Sequence, residues 1–387
     1  MFRLKVSLIL LKMKIENKIN EQSKAIQAWI KNNYQGTINA VTGFGKCKVG
    51  LDAINLIYNQ AIVSNINIDK FSVLIVTPTT EIKKEWVKEF KKWKMLHILK
   101  HVDIQCVNTC SKYKNRNYSI GIFDEVHNYL GNTFYNVFKN NIFKRKICLS
   151  ASIPGEHFHQ LFIEQKCPII YQMNIKKALE LELINNFKVY NIGVNLTKNE
   201  NKRYTFLSNK INEASIKGYN AWDLIGQRKN LIYDASNKYK LLEEIKKYFN
   251  SYGIIFTQSK KSAEKVQKIV ENSLVHHSGL TSKKRTEVIK LFSDGRTKEK
   301  ILSSAMTLDE GVTLPRLQFA IILANTSKEK QFIQRTGRVV RLEKNKKESI
   351  IIRIYCKNTI EENWLNKSQS KVKNIYINKN KIDTLWI

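Results

Sequence analysis

Short runs of β-branched and aliphatic residues alternate with longer amphipathic stretches through the first half of the chain. "FSVLIVTP" (71–78) reads as a strand, and in the helical stretch after it, "TEIKKEWVKEFKKW", Ile82, Trp86 and Phe90 recur every four residues. "YSIGIFDE" (118–125) is an apolar run ending in carboxylates, and "KICLSAS" (146–152) is another. Strands that are apolar throughout and separated by helices belong to a parallel sheet covered on both faces. From about 195 to 250 the pattern turns polar and helical, which puts a boundary near 190–225. A second series follows: "YGIIFTQS" (252–259), "ILSSAMT" (301–307), "FAIILAN" (319–325) and "SIIIRIYC" (349–356). The pattern therefore predicts two α/β halves with parallel sheets and a helical connector. The residues themselves show no repeat between the halves.

Composition narrows the partners. The length of 387 residues suits two domains with separate cores. The 66 Lys and Arg exceed the 33 Asp and Glu by a net +33, which points to a polyanion such as nucleic acid. Abundant Lys, Asn, Ile and Tyr, the residues of A/T-rich codons, account for part of that excess. Cysteines at 47, 106, 110, 148, 167 and 356 form no second close pair for a zinc site, so buried free thiols in a reducing, cytoplasmic compartment are expected. No apolar run reaches the ~18 residues of a membrane span. The opening "MFRLKVSLILLKMK" has a short apolar core closed by Lys12 and reads as an extension, with Met13 an alternative start.

Three stretches carry chemistry. "AVTGFGKCKVG" (40–50) lies between a strand, "GTINAV", and a helix, "VGLDAINLIYNQA". Glycines there let backbone N–H groups turn toward a phosphate at a helix N-terminus, and Lys46 would reach its outer oxygens. A Gly-rich structural turn is the alternative. Cys47 stands where a Ser or Thr hydroxyl would meet a magnesium ion. In "FDEVH" (123–127), Asp124 and Glu125 end an apolar strand, where α/β sheets place ligands; one acid can hold a metal and the other polarise water. In "QFIQRTGRVVR" (331–341), three of only 12 Arg in the chain fall within seven positions, with Arg335, Arg338 and Arg341 on roughly one helical face. Guanidinium forks bind phosphate oxygens bidentately.

With these stretches in this order, the sequence resembles a superfamily 2 helicase of the DExH type, from about residue 18 to 365. "EQSKAIQAW" resembles the Q motif, "AVTGFGKC" motif I, "VTPT" (76–79) motif Ia, "NTCSK" (108–112) motif Ib, "FDEVH" motif II and "LSAS" (149–152) motif III. "GIIFTQS", "TLDEGVTLP" (307–315) and "QRTGRVVR" (334–341) resemble motifs IV, V and VI. The nearest likeness is to compact DNA helicases and translocases related to type III restriction motors and phage recombination-repair helicases. A phage or viral origin would suit so small a motor.

The resemblance implies two tandem RecA-like domains with an ATP cleft between them. An N-terminal extension would occupy 1–16 and the first domain 17–190. A helical connector would span 191–235, the second domain 236–365 and a basic tail 366–387. ATP and Mg²⁺ would be the cofactors. Gln22, Thr42, Gly43, Gly45, Lys46, Cys47, Asp124, Gly311 and Arg335 would meet the nucleotide, with Asp124 and Cys47 at the metal. Glu125 would orient water, and Gln334, Arg338 and Arg341 would complete catalysis. His127, Ser150 and Ser152 would couple hydrolysis to Thr77, Pro78, Thr109, Thr257 and Thr307 on the nucleic acid. Departures from the pattern are Cys47, Ser152 for threonine, Thr313 where motif V often has Asp, and Glu21 where an aromatic is common. The expected activity is an ATP-dependent DNA motor acting as a monomer. An RNA helicase of the same superfamily and a non-hydrolysing nucleic-acid-binding protein are the alternatives.

Overall fold

The computed structural model describes residues 2–385 apart from 131–134, 152, 154–163, 296–297, 306–313, 315, 327–331, 333, 334, 336, 338, 341–347 and 368–373. It divides into two α/β units: Met1–Ile184, and a second made of Asn185–Asp309 and Thr313–Ile387.

The first unit opens with helix α1 (Phe2–Lys31), which runs through the boundary expected at 16/17. Its strands are β1 (Gln35–Ala40), β2 (Val73–Thr77), β3 (Val102–Cys106), β4 (Arg116–Tyr118), β5 (Ile120–Asp124), β6 (Asn141–Phe143), β7 (Lys146–Ser150) and β8 (Ile169–Met173). Six of them form one sheet in the order β3-β2-β5-β7-β1-β8, every pair parallel, while β4 and β6 pair separately. β2 and β5 are buried at every position, as their uninterrupted apolar sequences require. Helix α2 (Lys46–Val63) follows β1, and α3 (Thr80–Lys92) follows β2. The Thr79 hydroxyl accepts the Ile82 N–H to cap α3, and Ile82, Trp86 and Phe90 are the buried face. Leu74, Val76, Phe123, Tyr129, Phe138 and Cys148 share a core in which the Phe123 and Phe138 rings stack 4.2 Å apart.

The second unit holds β9 (Asn186–Val194), β10 (Gly253–Thr257), β11 (Ser273–His276), β12 (Ile301–Ala305), β13 (Phe319–Ile322), β14 (Glu348–Cys356) and β15 (Asn374–Tyr376). They form one parallel sheet in the order β11-β12-β10-β13-β14-β9-β15. The region expected to be a connector is thus built into this unit. β9 runs in register with β14 from Asn186↔Glu348 to Val194↔Cys356. Two helices, Lys198–Ile216 and Trp222–Tyr233, follow β9, the first started by a capping box between Thr197 and Glu200. The expected tail contributes β15, which pairs with β9. Among the described residues no helix is long and apolar enough to cross a membrane.

One turn is built alike in both units. After β2, the buried Thr77 hydroxyl donates to the carbonyls of Thr79 and of Gln105 on the neighbouring strand. After β10, the buried Thr257 hydroxyl donates to those of Ser259 and of Ser304 on its neighbouring strand. Thr79 and Ser259 then cap the helices that follow.

Beyond β13 lies a buried ion pair. Lys238 Nζ donates to both carboxylate oxygens of Glu361 at 2.8 Å and to the Leu323 carbonyl at 2.6 Å, and both side chains are fully buried. Glu361 also accepts the backbone N–H groups of Asn325 and Cys356, so it joins the ends of β13 and β14. Removing one partner leaves an uncompensated buried charge. Lys238→Met is therefore expected to destabilise this unit by about 3–5 kcal/mol in urea denaturation, and a loss below about 1 kcal/mol would show that the pair does not hold the strand ends.

Candidate functional site

The loop between β1 and α2 is open on one side. The N–H groups of Thr42, Gly43, Gly45, Lys46 and Cys47 make no backbone hydrogen bond among the described residues. Its carbonyls, by contrast, are tied. Lys46 Nζ donates to Ala40 at 3.1 Å, Lys18 Nζ to Gly43 at 2.7 Å, and Gln22 Nε2 to Phe44 at 2.8 Å. Gly43 and Gly45 have φ of 96° and 91°, which side chains with a Cβ rarely adopt. A Cβ at Gly45 would also lie 2.4 Å from Gln22 Nε2. Gln22, expected to read adenine, has its amide nitrogen on the loop backbone in this structure. Lys46 is buried, as is Phe44, whose ring stacks on Tyr171.

Opposite the loop stands the end of β5. Lys46 Nζ is 3.6 Å from Glu125 Oε1. Glu125 sits in the left-handed region at φ 51° and ψ 47°, uncommon for a non-glycine residue and typical of strained functional positions. Its other oxygen, Oε2, is buried without a hydrogen-bond partner among the described residues, 3.6 Å from His127 Nδ1. His127 Nδ1 and Ser150 Oγ are 2.6 Å apart, so two of the residues expected to couple are brought together. Asp124 is buried, and its Oδ2 accepts the Trp86 indole N–H at 2.9 Å. Cys47 is half-buried; burial, then the charge of Asp124, pushes its thiol well up, so it stays a neutral thiol.

This arrangement suits a polyphosphate with a cation. Unpaired N–H groups at a helix N-terminus beside a lysine form an anion cradle. Glu125 Oε2, placed beside Lys46 and His127, can accept a hydrogen bond from a water molecule. No group of three or more His, Cys, Asp or Glu among the described residues could hold a metal by itself. A cation here would rest on Asp124 and phosphate oxygens, as Mg²⁺ commonly does.

Other expectations fare differently. Thr77 and Thr257 do not present their hydroxyls to solvent: both are buried, with hydroxyls bonded inside their own sheets. Arg335 is set inward as well. It is 1% exposed, donates to the Ala324 carbonyl at 2.8 Å and faces the Phe256 ring, inside the second unit. Positions three apart on a helix step round by about 60°, so one arginine of the series can face inward. Thr109 is exposed and Pro78 partly so, as contacts to a strand require. Ser152, Thr307, Gly311, Gln334, Arg338 and Arg341 lie outside the described residues. Sequence reasoning placed Trp86 only in the α3 core and missed its bond to Asp124. The available signal was a tryptophan at a fully apolar position, since its buried N–H needs an acceptor.

Comparison with known proteins bears on the family and the fold. Residues 16–105 match the family "Type III restriction enzyme, res subunit", and residues 237–343 match "Helicase conserved C-terminal domain". A DNA 3'-5' translocase, XPB2 of Sulfurisphaera tokodaii, is 26% identical over 91% of this chain and 84% of its own. The fold is shared with S. cerevisiae Dbp5 bound to RNA and ADP BeF3, at TM-score 0.65 and 14% identity over 94% of this chain and 91% of that one. It is shared with the Type ISP restriction-modification enzyme LlaBIII bound to DNA, at TM-score 0.62 and 13% identity over 94% of this chain and 32% of that one. Family membership implies ATP binding. With both family matches in chain order and two RecA-like units, the chain belongs to superfamily 2 of the helicases.

Proposed function

We propose that this chain hydrolyses ATP in the first unit and uses the energy to move along DNA. The observation that carries the reading is the loop of unpaired N–H groups facing Lys46, Glu125 and Asp124. The similarity to a DNA 3'-5' translocase favours DNA as the track, and the net charge of +33 favours a nucleic acid of either kind.

The N–H groups of the loop would bind the outer phosphates, and Lys46 would exchange the Ala40 carbonyl for a phosphate oxygen. Asp124 would hold Mg²⁺, which neutralises charge on the transferred phosphoryl group. Glu125, already fixed by its backbone beside Lys46, would orient the attacking water and accept its proton. His127 would sense that change through Glu125 and pass it to Ser150 at the end of β7.

Phosphate release measured with single-stranded DNA, RNA or no nucleic acid tests the reading. DNA is expected to stimulate turnover most. Stimulation by RNA alone would assign an RNA motor, and no hydrolysis under any condition would leave a binding protein. Glu125→Gln should keep ATP binding while turnover falls about 10²-fold or more; turnover within about threefold of the parent would remove Glu125 from the chemistry. Cys47→Thr should lower the Mg²⁺ concentration for half-maximal activity, because a hydroxyl binds a hard cation and a thiol does so poorly. An unchanged Mg²⁺ dependence would show that position 47 does not face the metal.

A further inference from the structure

Trp86 lies on α3, 38 residues from Asp124 in sequence, yet its indole N–H reaches the Asp124 side chain. The ring is fully buried between two functional elements. On one side is Gly50 of α2, where an added Cβ would come within 2.6 Å of the Trp86 Cη2 atom. Gly50 is four residues beyond Lys46, so one face of α2 carries both the phosphate-binding lysine and the seat of the indole. On the other side the indole N–H donates to Asp124 Oδ2 at 2.9 Å. An indole N–H can only donate and a carboxylate can only accept, so the bond fixes the rotation of the carboxylate without adding charge. A hydrophobic residue at 86 would fill the same core space without making that bond.

We propose that Trp86 is a positioning residue for the metal-holding carboxylate, locking Asp124 in register with the phosphate loop through Gly50. The inference rests on the nucleotide reading of the site above. It has particular weight in this chain, because Cys47 supplies no hydroxyl and leaves Asp124 as the principal protein ligand for the cation. Partners that orient a metal ligand typically change metal affinity about 10–100-fold when removed.

The test is ADP binding by calorimetry to the full chain, with Mg²⁺ and with EDTA. Trp86→Phe should leave the metal-free affinity unchanged and cut the enhancement given by Mg²⁺ about tenfold or more. Phe90→Leu, one turn along the same buried face, should reduce stability and leave that enhancement intact. A benzothiophene isostere at position 86 keeps the ring shape and lacks the N–H; it should behave as Trp86→Phe does. Undiminished enhancement in the isostere would overturn the proposal. Equal weakening of both affinities, or an isostere that does not fold, would overturn it too, by assigning the hydrogen bond to packing. ADP bound equally with and without Mg²⁺ by the parent chain would overturn this inference alone, whereas no ADP binding under either condition would overturn the nucleotide reading and this inference with it.

Discussion

Backbone N–H groups seldom stay unpaired, because a loop can usually relax until its own carbonyls satisfy them. Here that relaxation is blocked from the carbonyl side. Lys18 and Gln22 of α1 hold the oxygens of Gly43 and Phe44, and Lys46 holds that of Ala40. With these carbonyls engaged and two glycines at positive φ, the loop closes only the turn from Phe44 N–H to the Val41 carbonyl, and the N–H groups of Thr42, Gly43, Gly45, Lys46 and Cys47 remain available to an anion. The rest of the first unit serves this constraint. β1 brings in the loop, α1 anchors it, and β5 places Glu125 against Lys46.

The same economy of side-chain bonds recurs where strands end. A parallel strand that stops before a helix exposes carbonyls, and each unit covers them with a threonine at the strand end and a hydroxyl cap two residues later. This turn is the repeat that the residues alone did not reveal. It joins "TPT" in one unit to "TQS" in the other, a likeness of hydroxyl positions and not of sequence. It also explains why Thr77 and Thr257 face inward: their hydroxyls complete the turn.

What was legible in the sequence follows from burial. β2, β5, β10, β12 and β13 are buried at every position and stood out as continuous apolar runs. The edge strands β3, β8, β11 and β15, by contrast, are partly exposed and mix polar residues into three to five positions, so no period marks them. β9 escaped for a related reason, since Asn186, Lys188 and Asn191 interrupt its apolar residues. In the site, Lys46, Asp124 and Glu125 were readable because their chemistry is local to a motif. Lys18, Trp86 and the inward turn of Arg335 were not, because each depends on a partner on another element.

The excess of lysine takes on a second meaning in this light. Lys18, Lys46, Lys146, Lys238, Lys246 and Lys300 all donate to backbone carbonyls. Arg335 does the same at Ala324. An ammonium offers three donors and no acceptor, so it suits loop and strand ends where oxygens converge. Each such residue contributes to the formal +33 while its donors face the protein's own backbone. The charge that DNA would meet is therefore smaller than the composition suggests. Counterion release scales with phosphates actually neutralised, and so with exposed cations such as Lys92 and Lys210 less those already paired, here with Glu89 and Glu213. A basic composition thus holds the loop and strand ends from within, and on the proposed reading its exposed remainder would attract a polyanion from without.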